Sequence, residues 1–161
     1  MRTWQDAALM LATVTSGLVA GLFYAFACSV MLGLRRVDDR AFIEVMQRIN
    51  VAILNGWFAA CFVGAPLLTL IALLLDPFDG RPLSLPLAAA LAIHIAALAI
   101  TFRANIPLNN ALEAAGPPAQ ITDPAQVRHS FEKPWVRWNL IRAIACTAAF
   151  ALLCWSLLTT A

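Results

Sequence analysis

The sequence predicts an all-α integral membrane protein, a four-helix bundle that forms a single domain. Three observations carry the prediction. Hydrophobic residues make up 61% of the chain and charged residues 12%, roughly half the charged fraction of a soluble domain, and the mean hydropathy is +0.78. Four charge-free runs are each long enough to cross a hydrocarbon layer, which takes roughly 20 apolar residues. The basic residues then fall mainly on one side of the spans that these runs define. A soluble bundle fits poorly, because its helices would need polar outer faces. A net charge of +2 from mixed signs argues against a nucleic-acid partner.

The first run covers residues 7–34. Arg2 alone precedes it as an n-region charge, and Arg35 and Arg36 follow it. The run continues past Ala25-Phe26-Ala27-Cys28, a faint lipoprotein-like cleavage site, so the segment is expected to be a retained helix. Gly17-Leu-Val-Ala-Gly21, with Thr13 and Ala20, makes a small-residue face. Such faces let membrane helices approach closely. Packing inside the bundle is its first reading, and a homo-oligomer through Gly17 and Gly21 its second.

The second run covers 49–75. Residues 38–48 read as its helical beginning, with Asp38 or Asp39 as the cap, and Pro66 can kink it. A short turn at 76–82, punctuated by Pro and Gly, leads to the third run at 83–102. Pro107 is expected to end or bend that helix. Residues 114–124 are rich in Pro, Ala and Gly and read as a loop. Residues 127–138 lead into the fourth run, 143–161, with the span drawn at about 139–160 and Pro134 in its first turn. The four cysteines, Cys28, Cys61, Cys146 and Cys154, lie in the spans as small apolar fillers.

Four spans put 35–48 and 103–142 on the same side, and that side holds nine of the eleven Lys and Arg residues. The positive-inside rule makes it cytoplasmic. The expected location is therefore the inner (cytoplasmic) membrane, multi-pass, with both termini outside.

Polar residues within the spans are costly and tend to face the bundle interior. At helical periodicity, Glu44, Gln47, Arg48 and Asn55 share one arc of the second helix. His94, Thr101 and Asn105 share a face of the third, and Trp135, Trp138, Asn139, Arg142 and Cys146 share one on the fourth. Thr13, Gly17, Ala20 and Tyr24 line up on the first. Counted along the helix, Tyr24 lies about 15 Å and His94 about 13 Å from the cytoplasmic ends of their runs. A pocket that opens at the cytoplasmic end and closes on His94 and Tyr24 would use all of these groups. Each member also has a simpler reading. Glu44 and Arg48 form a favourable i,i+4 ion pair. Arg142 can neutralise Glu44 or cap carbonyls, and Trp135 and Trp138 can be interface anchors. His94 can be a hydrogen-bonded core residue, and Tyr24 can pack with a satisfied hydroxyl.

The sequence contains no P-loop, GxGxxG or HExxH motif. No cofactor is predicted and no metal ligand is assigned; a metal on His94 with Glu44 or Cys28 stays open, without a spacing that supports it.

Two segments carry a family resemblance: Asn105-Ile-Pro-Leu-Asn-Asn110 and Trp135-Val-Arg-Trp-Asn-Leu-Ile-Arg142. With Gly21-Leu-Phe-Tyr-Ala25 and Glu44-Val-Met-Gln-Arg-Ile-Asn50, they make nearly the whole chain resemble the anthrone oxygenase-like family of small membrane proteins. The resemblance implies oxidation of an anthrone to an anthraquinone with dioxygen, without a flavin or haem. Removal of the acidic C–H proton gives an anion that itself reduces dioxygen. Such a reaction needs a base, donors for the enolate-like oxygen and an apolar slot.

In that scheme the catalytic candidates are His94 as base, Glu44 as its rival, and Arg142 as a donor. The substrate-binding candidates are Tyr24, Asn55, Asn105, Asn109, Trp135, Trp138 and Asn139, with Phe23 also in the slot. The expected partners are a hydrophobic small molecule of anthrone or quinol type and membrane lipid. The competing reading is a non-catalytic membrane protein that binds a lipid or quinone, or a subunit of a larger membrane complex. The charge asymmetry generates one prediction on its own. Reporters fused after Ala161 are expected to be active only outside the cytoplasm, and cytoplasmic activity there would reverse the topology.

Overall fold

The computed structural model describes residues 2–79 and 82–160, and helix is their only regular secondary structure. Gly80 and Arg81, in the predicted turn, lie outside the described residues. Four helical stretches are long and apolar enough to cross a membrane: Trp4–Leu34, Gly56–Leu75, Leu85–Ala114 and Pro124–Thr159. The protein is an integral membrane four-helix bundle.

The first column is α1 (Arg2–Ala25), a π-turn (Phe26–Val30) and α2 (Met31–Leu34). Helix α3 (Asp39–Ala52) follows, then α4 (Gly56–Leu75). The third column is α5 (Leu85–Ile100), a second π-turn (Thr101–Asn105) and α6 (Ile106–Ala114). Helix α7 (Pro124–Thr160) is the fourth. The columns form a ring in which α1 packs on α4 and α7, and α5 packs on α7 and α4.

Three apolar layers fill the ring. Near the termini, Leu9, Ala12, Ala72, Leu73, Leu87, Ala149 and Leu153 interlock. The middle layer holds Val19, Ala20, Phe23, Phe62, Ala97, Ala143 and Cys146. At the other end Met31, Phe42, Ile43, Met46, Leu112, Phe131 and Trp135 pack beneath α3. Gly17 belongs to this internal packing: a Cβ there would sit 3.0 Å from the Phe150 ring, whereas one on Gly21 would meet nothing.

Polar clasps hold each end. Near the termini, buried Asp76 accepts from the Gln5 amide and, at 2.9 Å, from the Ser84 backbone N–H. Ser84 caps α5, so one carboxylate joins α1, the end of α4 and the start of α5. At the loop end, Arg128 donates to the carbonyls of Leu34 and Val37, and pairs with Asp39 at 3.0 Å and Glu132 at 2.7 Å. It thereby satisfies carbonyls that the end of α2 leaves open. Arg40 donates to the carbonyls of Pro118 and Ile121, and Gln47 to those of Leu112 and Gly116. These bonds tie α3 to the 115–123 loop and to α6.

Three helix boundaries differ from the sequence reading. Residues 38–48 do not begin the second span, because the chain breaks at 53–55 and restarts at Gly56. Asn55 adopts an extended conformation there and caps α4 by accepting from the Phe58 N–H at 3.0 Å. The third helix does not stop at 102. A π-turn just before Pro107, with the Ile106 N–H bonded to the Thr101 carbonyl, carries it through to Ala114. The wider turn relieves the clash and the missing donor that a proline imposes on the preceding turn. The fourth helix begins ten residues before Pro134 (Asp123 accepts from the Gln126 N–H at 3.0 Å), and Pro124, not Pro134, takes its first turn.

Asp76→Ala removes the carboxylate that accepts from the Gln5 amide and the Ser84 N–H, and losing the acceptor of a buried donor costs about 1–3 kcal/mol. The variant is expected to melt several degrees below the parent in detergent, with Asp76→Asn intermediate. Equal melting of parent and Asp76→Ala would remove this clasp from the account of stability.

Candidate active site

A cavity of about 730 Å³ lies between the α1 π-turn, the start of α4, the α5–α6 column and α7. Its size falls within the range of about 300–1,000 Å³ typical of small-molecule sites. The two helix irregularities described above shape it. The 53–55 break sets the start of α4 away from α3, and Ile53, Leu54, Asn55 and Gly56 form part of the wall. The π-turn before Pro107 adds a residue to one turn and turns Thr101 and Asn105 together into the cavity.

Aromatic rings make the walls. Phe58 and Phe62, one helical turn apart, are stacked with centroids 5.0 Å apart, and Phe23 meets Phe62 edge-on at 6.1 Å. Phe26 and Trp135 lie 5.6 Å apart on the opposite side. The rim carries exposed apolar side chains, among them Val51, Leu54, Val63 and Phe102.

The polar groups converge at the buried end. On α7, Trp135, Asn139 and Arg142 project from one face at i, i+4 and i+7, as helical periodicity requires. The Asn139 amide donates to the Phe23 carbonyl at 3.1 Å, and its oxygen accepts from Arg142 at 3.1 Å. Arg142 also donates to Thr101 Oγ1 at 3.2 Å and lies 4.1 Å above the Phe23 ring. The Trp135 indole N–H donates to Asn109 Oδ1 at 2.9 Å. Arg142 is 5% exposed and Asn105 2%. Arg142 Nε, both polar atoms of the Asn105 side chain and Asn50 Nδ2 are buried without a protein partner.

The site residues expected from sequence divide. Asn55, Asn105, Asn109, Trp135, Asn139 and Arg142 line the cavity, as does Phe23. Four of the expected residues do not. Tyr24 is 61% exposed and points out of the bundle; it follows Phe23, which takes the inward position. Trp138 is half-buried beside the site and outside its lining. His94 is buried with Nε2 unpartnered, but it lies about 10 Å along the helix from Thr101 and does not reach the cavity. The cavity closes on Arg142 instead of His94 and Tyr24. Glu44 is exposed, paired with Arg48 at 2.6 Å, and lines with Gln47 an adjoining groove that shares Val51 and Glu113 with the cavity. The arc that grouped Glu44 with Asn55 assumed one continuous helix, and the 53–55 break resets the phase.

A family model described as anthrone oxygenase matches residues 51–152. This chain belongs to the anthrone oxygenase family. No curated protein and no solved structure matches the chain. The segment matched by the anthrone oxygenase model contains Asn55, Asn105, Asn109, Asn139 and Arg142, so the polar end of the cavity lies almost wholly within it.

Lining residues that sequence reasoning did not assign to the site include Asn50, Phe26, Phe58 and Phe62. Phe58 and Phe62 carried an i,i+4 aromatic signal. Asn50 stood in the resembling Glu44–Asn50 segment, but nothing local distinguished it from a surface residue. Among the described residues, no group of three or more His, Cys, Asp or Glu side chains is placed to hold a metal ion.

Asn55 serves both helix and cavity. Asn55→Ala removes the α4 cap, and such a loss costs about 0.5–2 kcal/mol. A lower melting temperature is expected for Asn55→Ala, with most of it restored in Asn55→Ser. If Ser and Ala melt alike, the capping bond contributes nothing measurable.

Proposed function

We propose that this member of the anthrone oxygenase family is an oxidoreductase of the cytoplasmic membrane with both termini outside. It takes a flat hydrophobic aromatic of anthrone or quinol type into the cavity and oxidises it with dioxygen. One observation carries the reading: a slot walled by aromatic rings ends on a buried guanidinium and a buried carboxamide, of which Arg142 Nε and the Asn105 N–H₂ have no protein partner.

Rings pack against Phe58, Phe62 and Trp135, and the carbonyl oxygen of an anthrone meets Arg142 Nε and Asn105. Loss of a proton from the methylene carbon moves negative charge onto that oxygen. Preorganised donors in a water-poor site stabilise such charge strongly. The proton leaves through the mouth, where Glu113 is the lining carboxylate. The anion gives one electron to dioxygen, the radical pair couples to a peroxide anion on the same carbon, the peroxide takes a proton back, and loss of water leaves the second carbonyl. One anthrone and one dioxygen become one anthraquinone and one water. Asn139 positions Arg142 and ties it to the Phe23 carbonyl.

The test is oxygen consumption by purified protein in detergent with a panel of anthrones, read beside melting curves. The parent is expected to consume one dioxygen per anthrone. Arg142→Met is expected to lose about 10²-fold in turnover per folded molecule, the scale of a lost oxyanion donor. His94→Ala is expected to stay near the parent rate, since loss of a true general base costs about 10²–10⁴-fold. A loss of that size in folded His94→Ala would return His94 to the chemistry. If no anthrone is oxidised, the enzymatic reading fails, and a role in lipid or quinone binding, or as a complex subunit, takes its place.

A further inference from the structure

Two arginines of this protein face opposite charge environments. Arg128, toward the loop end of the bundle, is paired with Asp39 and Glu132. Arg142, about four helical turns further along α7, is buried, yet its partners are a hydroxyl, a carboxamide oxygen and an aromatic face. Among the described residues no carboxylate pairs with it. A guanidinium keeps its charge in proteins, and a buried charge without a counter-charge is strongly disfavoured.

We infer that the cavity binds its ligand as an aromatic anion, whose ionised oxygen supplies the counter-charge to Arg142 and accepts from the Asn105 carboxamide. The inference rests on the proposed function and adds the charge state of the substrate. Three further observations support it. Asn105, 2% exposed, has no protein partner for either polar atom, so its N–H₂ is free for a ligand. Of the residues lining the cavity only Glu113 and Arg142 are ionisable, and Glu113 is exposed on α6. The buried end thus holds a cation and no acceptor for a proton, so it holds the substrate in its ionised form, the proton having left by the mouth. The rings of Phe58, Phe62 and Trp135 in the lining favour a flat aromatic body over a flexible acyl chain.

The experiment measures binding to purified protein in one detergent, using fluorescent anthracene-9-carboxylate, its neutral analogue 9-anthracenemethanol, and dodecanoate as a competing acyl anion. A hydrogen-bonded charge pair should favour the carboxylate over the neutral probe by about 10- to 100-fold. Arg142→Gln is expected to erase that preference, Arg142→Lys to keep part of it, and Asn105→Leu to narrow it with the cation still present. Equal or tighter binding of the neutral probe by the parent overturns the inference, whatever the variants do. Displacement of the carboxylate by dodecanoate at equal concentration overturns its aromatic part and points to a lipid-type anion. Binding does not depend on turnover. A kept anion preference without oxygen consumption defeats the functional reading alone, and turnover without the preference defeats this inference alone.

Discussion

A guanidinium buried between the helices of a membrane-spanning bundle has to be solvated by the protein itself. Arg142 meets that requirement with a side chain from each of two neighbouring columns and from its own helix. It reaches Thr101 on the third column, Asn139 one turn back, and the face of Phe23 on the first. Those contacts fix the rotation of α7 against α1 and α5. Asn139 extends the chain by donating to the Phe23 carbonyl, so a side-chain network joins the helices where the middle apolar layer is formed by small residues such as Ala97, Ala143 and Cys146. The network is incomplete: Arg142 Nε and both polar atoms of the Asn105 side chain are buried without a protein partner.

The two ends of the bundle are built for different ends. Near the termini, small and branched side chains interlock around Asp76, and the helices are regular. The other end accumulates irregularities: a π-turn in each of two columns, a break before α4 and a proline within α6. Extra residues in helical turns recur at functional sites because they redirect side chains without ending the helix. Here one π-turn precedes the proline and carries Thr101 and Asn105, while the other begins at Phe26, a wall of the cavity. The break at 53–55 adds the remaining wall. Clasps from Arg128, Arg40 and Gln47 hold the outer pieces against this irregular region, so that the space between the columns is kept open without loosening the fold.

Much of this was legible in the sequence. Uninterrupted apolarity determined that the chain crosses the membrane as helices, because a spanning segment must satisfy its own backbone and tolerate no exposed charge. Periodicity on α7 placed Trp135, Asn139 and Arg142 together, since one unbroken helix keeps its phase over seven residues. Asn105 and Asn109 stood in the segment that carried the family resemblance. The tertiary structure decided the rest. Hydropathy cannot register the Asn55 cap, because 49–55 is as uncharged as the span after it; the arc joining Glu44 to Asn55 therefore dissolved. Depth counted along a helix placed His94 and Tyr24 near the midplane, but depth does not tell which way a side chain turns. Phe23 holds the inward position that Tyr24 was expected to hold, and the cavity ends at Arg142, which meets the third column at Thr101, about two helical turns from His94. Which polar group is left without a partner is a property of neighbours contributed by other helices, and no single segment contains it.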